Sequence, residues 1–408
     1  MTADAADAQV GDAEVERFLR QHLPTDWVSA VDEGDAEALT AARDQLDLKE
    51  WWVQLAEAGY VAPTWPEQYG GRGFAPGLAA AVAKTLRRYK VPRFTNPVGV
   101  GQVGSTILAF GTEEQKQRFL RPIARHEEIW CQLFSEPGAG SDVAGLATRA
   151  VRDGDTWLVN GQKMWTSLAH EASFGLLIAR TDPDVPKHKG ITAFLLPMHQ
   201  PGVTVRPLRH IAGDAPFNEV FLDDAHVDDS LRLGEVNDGW RVAISVLSGE
   251  RQTLSGAGAS LPGTTGGRTV ESLIRRHAPV ADHALRERLA QLYIEDKIIE
   301  LNTQRAAARQ RSGQGSGATG SIGKLLHSEH TQRLQNLALD LEGPDAQAWS
   351  EDDRWLRGTA WSFLWVQSRT IAGGTSEIQR NILGERVLGL PKEPQLDRDV
   401  PWSEVPRS

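Results

Sequence analysis

Residues 131–145, CQLFSEPGAGSDVAG, followed by residues 160–167, NGQKMWTS, decide how this chain is read. In the first phrase Glu136, Pro137, Gly138, Ala139 and Gly140 precede Ser141 and Asp142. Small and turn-forming residues in that order let the backbone fold tightly and present N–H groups to an anion. The second phrase reads as a strand: Trp157 and Val159, a turn at Asn160-Gly161, then bulky and β-branched residues from 163 to 167.

Outward from these phrases the hydrophobic period changes twice. Up to about residue 125 the chain reads mainly as helices, with apolar residues at helical spacing in 13–22 and 48–58 and an Ala- and Leu-rich segment at 77–89. Pro63, Pro66 and Gly70-Gly71 interrupt that pattern and mark an irregular loop. From about 129 to 233 short alternating segments such as 193–196, 203–207 and 219–222 lie between Gly, Asp and Pro turns and predict strands. Beyond Gly239 the helical period returns, notably in 285–310 and 322–341. The boundaries expected from this order are 1–125, 126–238 and 239–408.

A third phrase, IAGGTSEIQRNILGERVLGLP at 371–391, completes a pattern that resembles the acyl-CoA dehydrogenases. Residues 59–73 (GYVAPTWPEQYGGRG) and 110–123 (FGTEEQKQRFLRPI) are similar to that family's N-terminal helical region, so the resemblance covers most of the chain. It implies an α+β fold with an N-terminal α-helical domain, a middle β-barrel domain and a C-terminal four-helix bundle. It also implies FAD as cofactor. Phe134 and Ser135 match the positions at the pyrimidine end of the flavin, and Gly140 and Ser141 those on its pyrophosphate. Trp165 matches the residue covering the isoalloxazine, Ser167 the hydroxyl that reaches N5, and Thr375 and Glu377 further cofactor contacts.

The third phrase also departs from the family. Many members carry the catalytic glutamate just before Gly-Thr-Ser, where this chain has Gly373, which cannot take a proton. Some branches place the base before an arginine on a C-terminal-domain helix, and Ser248-Gly249-Glu250-Arg251 matches that alternative. Glu250 is therefore the candidate base, with Ser248 and Arg251 as candidate substrate contacts; Arg251 serves either the CoA moiety or the local charge balance. Removing the α-proton of a thioester while the β-hydrogen leaves as hydride needs a carboxylate in reach of Cα. Negative charge develops on the carbonyl oxygen, so a donor is needed there too. The resemblance gives that donor as the backbone N–H of Gly373, which survives loss of the side chain.

Composition agrees. The chain has 408 residues, 40% hydrophobic, with a net charge of −10, which suits a multidomain globular enzyme and argues against nucleic acid as main partner. No apolar run approaches the roughly 20 residues that span a bilayer, and no membrane association is expected. The acidic N-terminus lacks an apolar signal core, and the lone Cys131 permits no internal disulfide, which together predict a cytoplasmic setting. Gly99, Gly101 and Gly104 fit GxGxxG, but they follow Pro92 and Pro97 rather than a strand and read as the start of a helix. HSEH at 327–330 lacks zinc-site spacing, and no metal is expected.

Two phrases that reach a neighbour's FAD in the family's homotetramers, Arg-x-x-Phe-Gly and Gln-x-x-Gly-Gly, find no match at 268–272 or 339–343. This leaves a base-bearing subunit of an α2β2 heterotetramer or a homo-oligomer with altered contacts. The expected reaction is dehydrogenation of an acyl-CoA, or a carrier-protein thioester, to the 2-enoyl product, with an electron-transfer flavoprotein as acceptor. The Gly-rich run 256–267 after the candidate base leaves room for a bulky, branched or steroid-type acyl group. A flavin oxygenase or oxidase, or a non-catalytic subunit completing a partner's site, are the alternatives.

Overall fold

The computed structural model describes residues 3–92, 96–254, 269–277, 279, 282–311, 320–347, 358–394 and 397–406, with backbone only for 3–11, 248–254, 307, 310, 311, 345 and 347. Seven helices open the chain: α1 (Ala3–His22), α2 (Thr25–Glu33), α3 (Ala36–Arg43), α4 (Leu48–Glu57), α5 (Pro76–Arg88), α6 (Gly104–Phe110) and α7 (Glu113–Ala124). Their starts are set by local chemistry. Asp35 and Asp47 accept from backbone N–H groups of the first turns of α3 and α4, and Thr112 with Gln115 forms a capping box on α7. Trp27, Trp51, Trp52 and Trp65 fill the core between these helices. The GxGxxG stretch is indeed a helix start: residues 99–103 form a wide turn running into α6, and a Cβ at Gly104 would strike the Trp65 ring. Gly99 and Gly104 serve close packing, against Asn96 and Trp65.

Eight strands follow: β1 (Trp130–Leu133), β2 (Arg149–Asp153), β3 (Thr156–Ser167), β4 (Phe174–Arg180), β5 (Ile191–Pro197), β6 (Val203–Leu208), β7 (Phe217–Asp228) and β8 (Arg232–Leu233). They form one sheet ordered β6-β7-β3-β2-β4-β5-β8, with β1 parallel to β4. β4 and β5 are apolar on both faces because both are covered. Leu176, Ile178, Ile191, Ala193 and Leu195 join the helical core, whereas Leu177, Ala179, Phe194 and Leu196 join a second core with Trp157 and Val220. Each large side chain so buried contributes about 1.5–3 kcal/mol, and the double coverage welds the sheet to the N-terminal helices.

One sequence expectation is corrected here. Asn160-Gly161 is not a hairpin turn but a bulge inside the unbroken β3, and the turn lies at Gly154, whose φ is +62°. Asn160 exchanges hydrogen bonds with Asp224 of β7, and a Cβ at Gly161 would collide with Thr148. Turn-forming residues were here used to offset two strands.

Helices return as α8 (Gly239–Leu254), α9 (Val270–His277), α10 (His283–Arg311), α11 (Gly320–Glu342), α12 (Thr359–Val366) and α13 (Ser376–Ile382). α11 is central, touching α8, α10, α12 and α13. Between α10 and α11 a buried His330 faces Glu295 at 3.1 Å, and Arg333 meets the same carboxylate. HSEH is thus part of a helix-to-helix clip, and among the described residues no His, Cys, Asp or Glu cluster could hold a metal.

Candidate functional site

The loop after β1 is built around a buried ion pair. Lys163 of β3 is fully buried, with Nζ 2.7 Å from Glu136 Oε1 and 3.0 Å from the Phe134 carbonyl. Glu136 also accepts from the Ala147 and Thr148 N–H groups at 2.6 and 3.0 Å. Burial alone would raise the Glu136 pKa, but Lys163 and these donors more than offset it and hold it below the ordinary value. Burial pulls Lys163 down from its ordinary value. Glu136 and Ala139 exchange backbone hydrogen bonds across Pro137-Gly138, and the Met164 N–H donates to the Ser135 carbonyl. The two phrases that were separate in sequence are thereby one unit.

That unit leaves donors facing outward. Gly140 and Ser141 are exposed, and neither N–H meets a backbone acceptor among the described residues. A Cβ added at Gly138 or Gly140 would meet nothing within 4 Å, so the surface above this turn is open. Phe134 packs into the helical core, and Ser135 beside it is half-buried. An anionic group fits against free amides of this kind.

Between Lys163 and Thr166 the β3–β7 pairing shifts again, and Trp165 sits there with φ +59° and half its surface exposed. A bulky residue in the left-handed region is strained and persists where its surroundings fix it. Phe217 does so, meeting the indole edge-on at 5.8 Å, and itself stacks on Trp365 at 5.9 Å with planes 8° apart. Trp361 and His210 extend this wall, and burial lowers the His210 pKa against the pull of Asp214. Ser167 pairs with Phe217 at the end of the same strand, two residues on from Trp165. The Phe217–Trp365 stack ties β7 to α12 and so carries the wall toward Gly373. No sequence signal beyond aromatic content marked that contact.

The turn at 371–374 is held from beneath. Gly373 and Gly374 have φ of +68° and +93°, a conformation that favours glycine. The buried Lys324 Nζ donates to the Gly374 carbonyl at 2.6 Å, and the buried Gln379 side chain donates to the carbonyls of Gly373 and Gly374. With both carbonyls claimed, the Gly373 N–H has no backbone acceptor among the described residues. It is available to an outside oxygen.

Thr375 and Glu377 follow that turn directly. Thr375 caps α13, accepting from the Ile378 N–H at 3.3 Å, and Glu377 is an exposed first-turn carboxylate lowered mainly by its own backbone N–H and Thr375. They line a cleft of about 370 Å³ with Glu329, Gln332, Arg333 and Arg380, and among the described residues no hydrogen bond or ring contact ties it to the 134–141 loop. The side chains of Ser248, Glu250 and Arg251, and the glycine run 256–267, lie outside the described residues. The backbone of α8 does carry Ser248, Glu250 and Arg251 on its last turns, and α8 packs on α11.

Comparison with known proteins supplies the wider setting. Family models for the acyl-CoA dehydrogenase N-terminal, middle and C-terminal domains match residues 11–127, 131–225 and 237–388. Acyl-CoA dehydrogenase IpdE1 of Mycobacterium tuberculosis (strain H37Rv) is 40% identical over 350 residues, 85% of this chain and 88% of the relative. Among solved structures, the Tcur3481-Tcur3483 steroid ACAD is similar with a TM-score of 0.74 at 27% identity, over 95% of this chain and 98% of that one. The ChsE4-ChsE5 complex from Mycobacterium tuberculosis gives 0.73 at 29% identity, over 94% and 98%.

Proposed function

The chain belongs to the acyl-CoA dehydrogenase family, and from that premise we propose that it binds FAD and removes the α- and β-hydrogens of an acyl-CoA with a bulky, steroid-type acyl group. The observation that carries this reading is the joint preparation of two surfaces: a strained, half-exposed Trp165 beside Ser167, and free amides at Gly140 and Ser141 pinned to the same strand by Lys163–Glu136. A flat aromatic group fits the indole face, and a pyrophosphate fits the amides. When bound, FAD supplies the acceptor for the β-hydrogen. Gly373 donates its N–H to the thioester oxygen as charge builds there, Glu250 takes the α-proton, and the aromatic wall keeps water from the reacting face. Electrons then pass to an electron-transfer flavoprotein. The steroid-type acyl group rests on the likeness to a steroid ACAD.

Anaerobic titration of the purified flavoprotein with straight, branched and steroid-type acyl-CoAs tests the reading. Bleaching of the visible flavin band, strongest with the bulky thioesters, is the expected result. Bleaching by short straight chains alone would refute the acyl preference; no bleaching, or peroxide formed in air, would favour the helper-subunit or oxidase alternative.

The same reading includes a related subunit as partner. Ile294, Ile298 and Leu301 on α10 are exposed at spacings of four and three, a stripe on one helix face that water does not favour. The structurally similar ChsE4-ChsE5 is a complex. Ile298→Glu is expected to lower the mass observed by size-exclusion light scattering to that of a smaller assembly. Unchanged mass removes this face as the interface, and tight, full FAD occupancy in the isolated chain removes the two-subunit arrangement.

A further inference from the structure

The C-terminal segment 397–406 does not trail away but lies across the middle domain beside the loop that follows Ser141. Arg180, almost fully buried at the end of β4, donates to the carbonyls of Ala144, Leu146 and Lys187. Trp402 covers that guanidinium, with Arg180 Cζ 4.8 Å from the ring centre, and its Nε1–H donates to the Gly145 carbonyl at 3.2 Å. Three successive carbonyls, 144 to 146, are therefore held by one arginine and one C-terminal tryptophan. The next two N–H groups, 147 and 148, are held by Glu136 from the other side.

Two more contacts fasten the segment. The Trp402 and Ser403 N–H groups donate to the carbonyls of Val185 and Pro183, so the crossing is fixed by backbone as well. Lys187 bridges Asp142 at 3.0 Å and Asp397 at 2.8 Å. Burial would lower the Lys187 pKa, but its hydrogen bonds to Asp397 and Asp142 raise it, so the lysine stays charged between them. Asp142 follows Ser141 directly. The strap thus grips the loop at its start through Lys187 and at 144–146 through Trp402.

We propose that residues 397–406 act as a strap that pre-orders the 140–148 loop for the cofactor's phosphates, with Trp402 and Arg180 as positioning residues. This rests on the FAD-binding reading above. Free amides at Gly140 and Ser141 bind an anion well only if the loop does not spend binding energy on ordering itself. A flat, charged guanidinium stacked on an indole is suited to hold several carbonyls in one plane. Because the strap lies far along the chain, it makes that loop dependent on completion of the C-terminal region.

The test uses the full chain with whatever subunit co-purifies. Hydrogen–deuterium exchange in the cofactor-free protein is the first measure, and titration of that protein with FAD is the second. Trp402→Ala is expected to speed exchange of the 144–148 amides and weaken FAD binding by about tenfold, whereas Trp402→Phe, which keeps a ring over Arg180, restores most of both. Asp397→Asn, on the surface, is expected to do the same in smaller degree without threatening the fold. Unchanged loop exchange and unchanged FAD affinity in Trp402→Ala and Asp397→Asn would overturn the strap. Faster loop exchange in Trp402→Ala, with a wild-type protein that never binds FAD, would instead overturn the cofactor reading and leave the strap's effect on the loop standing.

Discussion

Glu250→Gln is expected to leave a flavoprotein that binds acyl-CoA but bleaches about 10²–10⁴-fold more slowly than wild type under anaerobic conditions, the range ascribed to a positioned general base. The amide keeps the size of the carboxylate and loses only its capacity to accept a proton. Among the described residues, the other carboxylates near the Gly373 turn are Glu329, paired with Arg380, and the exposed Glu377. The position that carries the base in many relatives is a glycine with φ +68°, and its neighbours Lys324 and Gln379 are donors committed to carbonyls. Glu377 is exposed at the start of α13, and Glu136 is consumed by Lys163 and two N–H groups. Stopped-flow reduction with a saturating thioester separates the rate from binding: a slow rate at unchanged substrate affinity assigns the base to Glu250. A normal rate would make Glu250 an ordinary helix carboxylate, and the search for a base would move to the partner subunit.

What the sequence shows of this protein, and what it hides, divides along physical lines. Helices with an apolar period were legible, as at 48–58 and 322–341, because the period is local. The loop at 136–142 and the strand at 163–167 stood out through the family resemblance of their residues. Their mutual attachment did not. Lys163 and Glu136 are 27 positions apart, and a lysine within a strand ordinarily signals a solvated face rather than a fully buried ammonium. The Asn160-Gly161 bulge was misread because the same dipeptide serves a hairpin and an offset, and only the partner strand decides. Trp402 carries no local signal at all, since its role comes from the guanidinium of Arg180, which reaches it across the fold.

Lys163→Met is expected to destabilise the folded protein by about 3–5 kcal/mol, because it strands the Glu136 carboxylate in a site that excludes water. The loss should exceed that of the double change Glu136→Gln with Lys163→Met, in which no unpaired charge remains, and chemical denaturation of wild type, both single variants and the double variant yields the coupling energy. Equal losses in single and double variants would mean the ion pair is solvated in solution. The pH dependence has a definite sign. Glu136 is held below its ordinary pKa when folded, so its ionisation stabilises the fold fully above about pH 4.3, its unfolded value, and that stability drains away as pH falls through the lowered folded value. Lys163 is also lowered, by burial, so raising pH from its folded pKa toward its unfolded one removes a charging penalty instead of a stabilising charge. This pair therefore makes the acid side, not the alkaline side, the vulnerable flank of the loop. Flavin release followed at falling pH should begin at higher pH in Lys163→Met than in wild type, because a carboxylate without its ammonium takes up its proton sooner, and the 136–148 loop loosens with it.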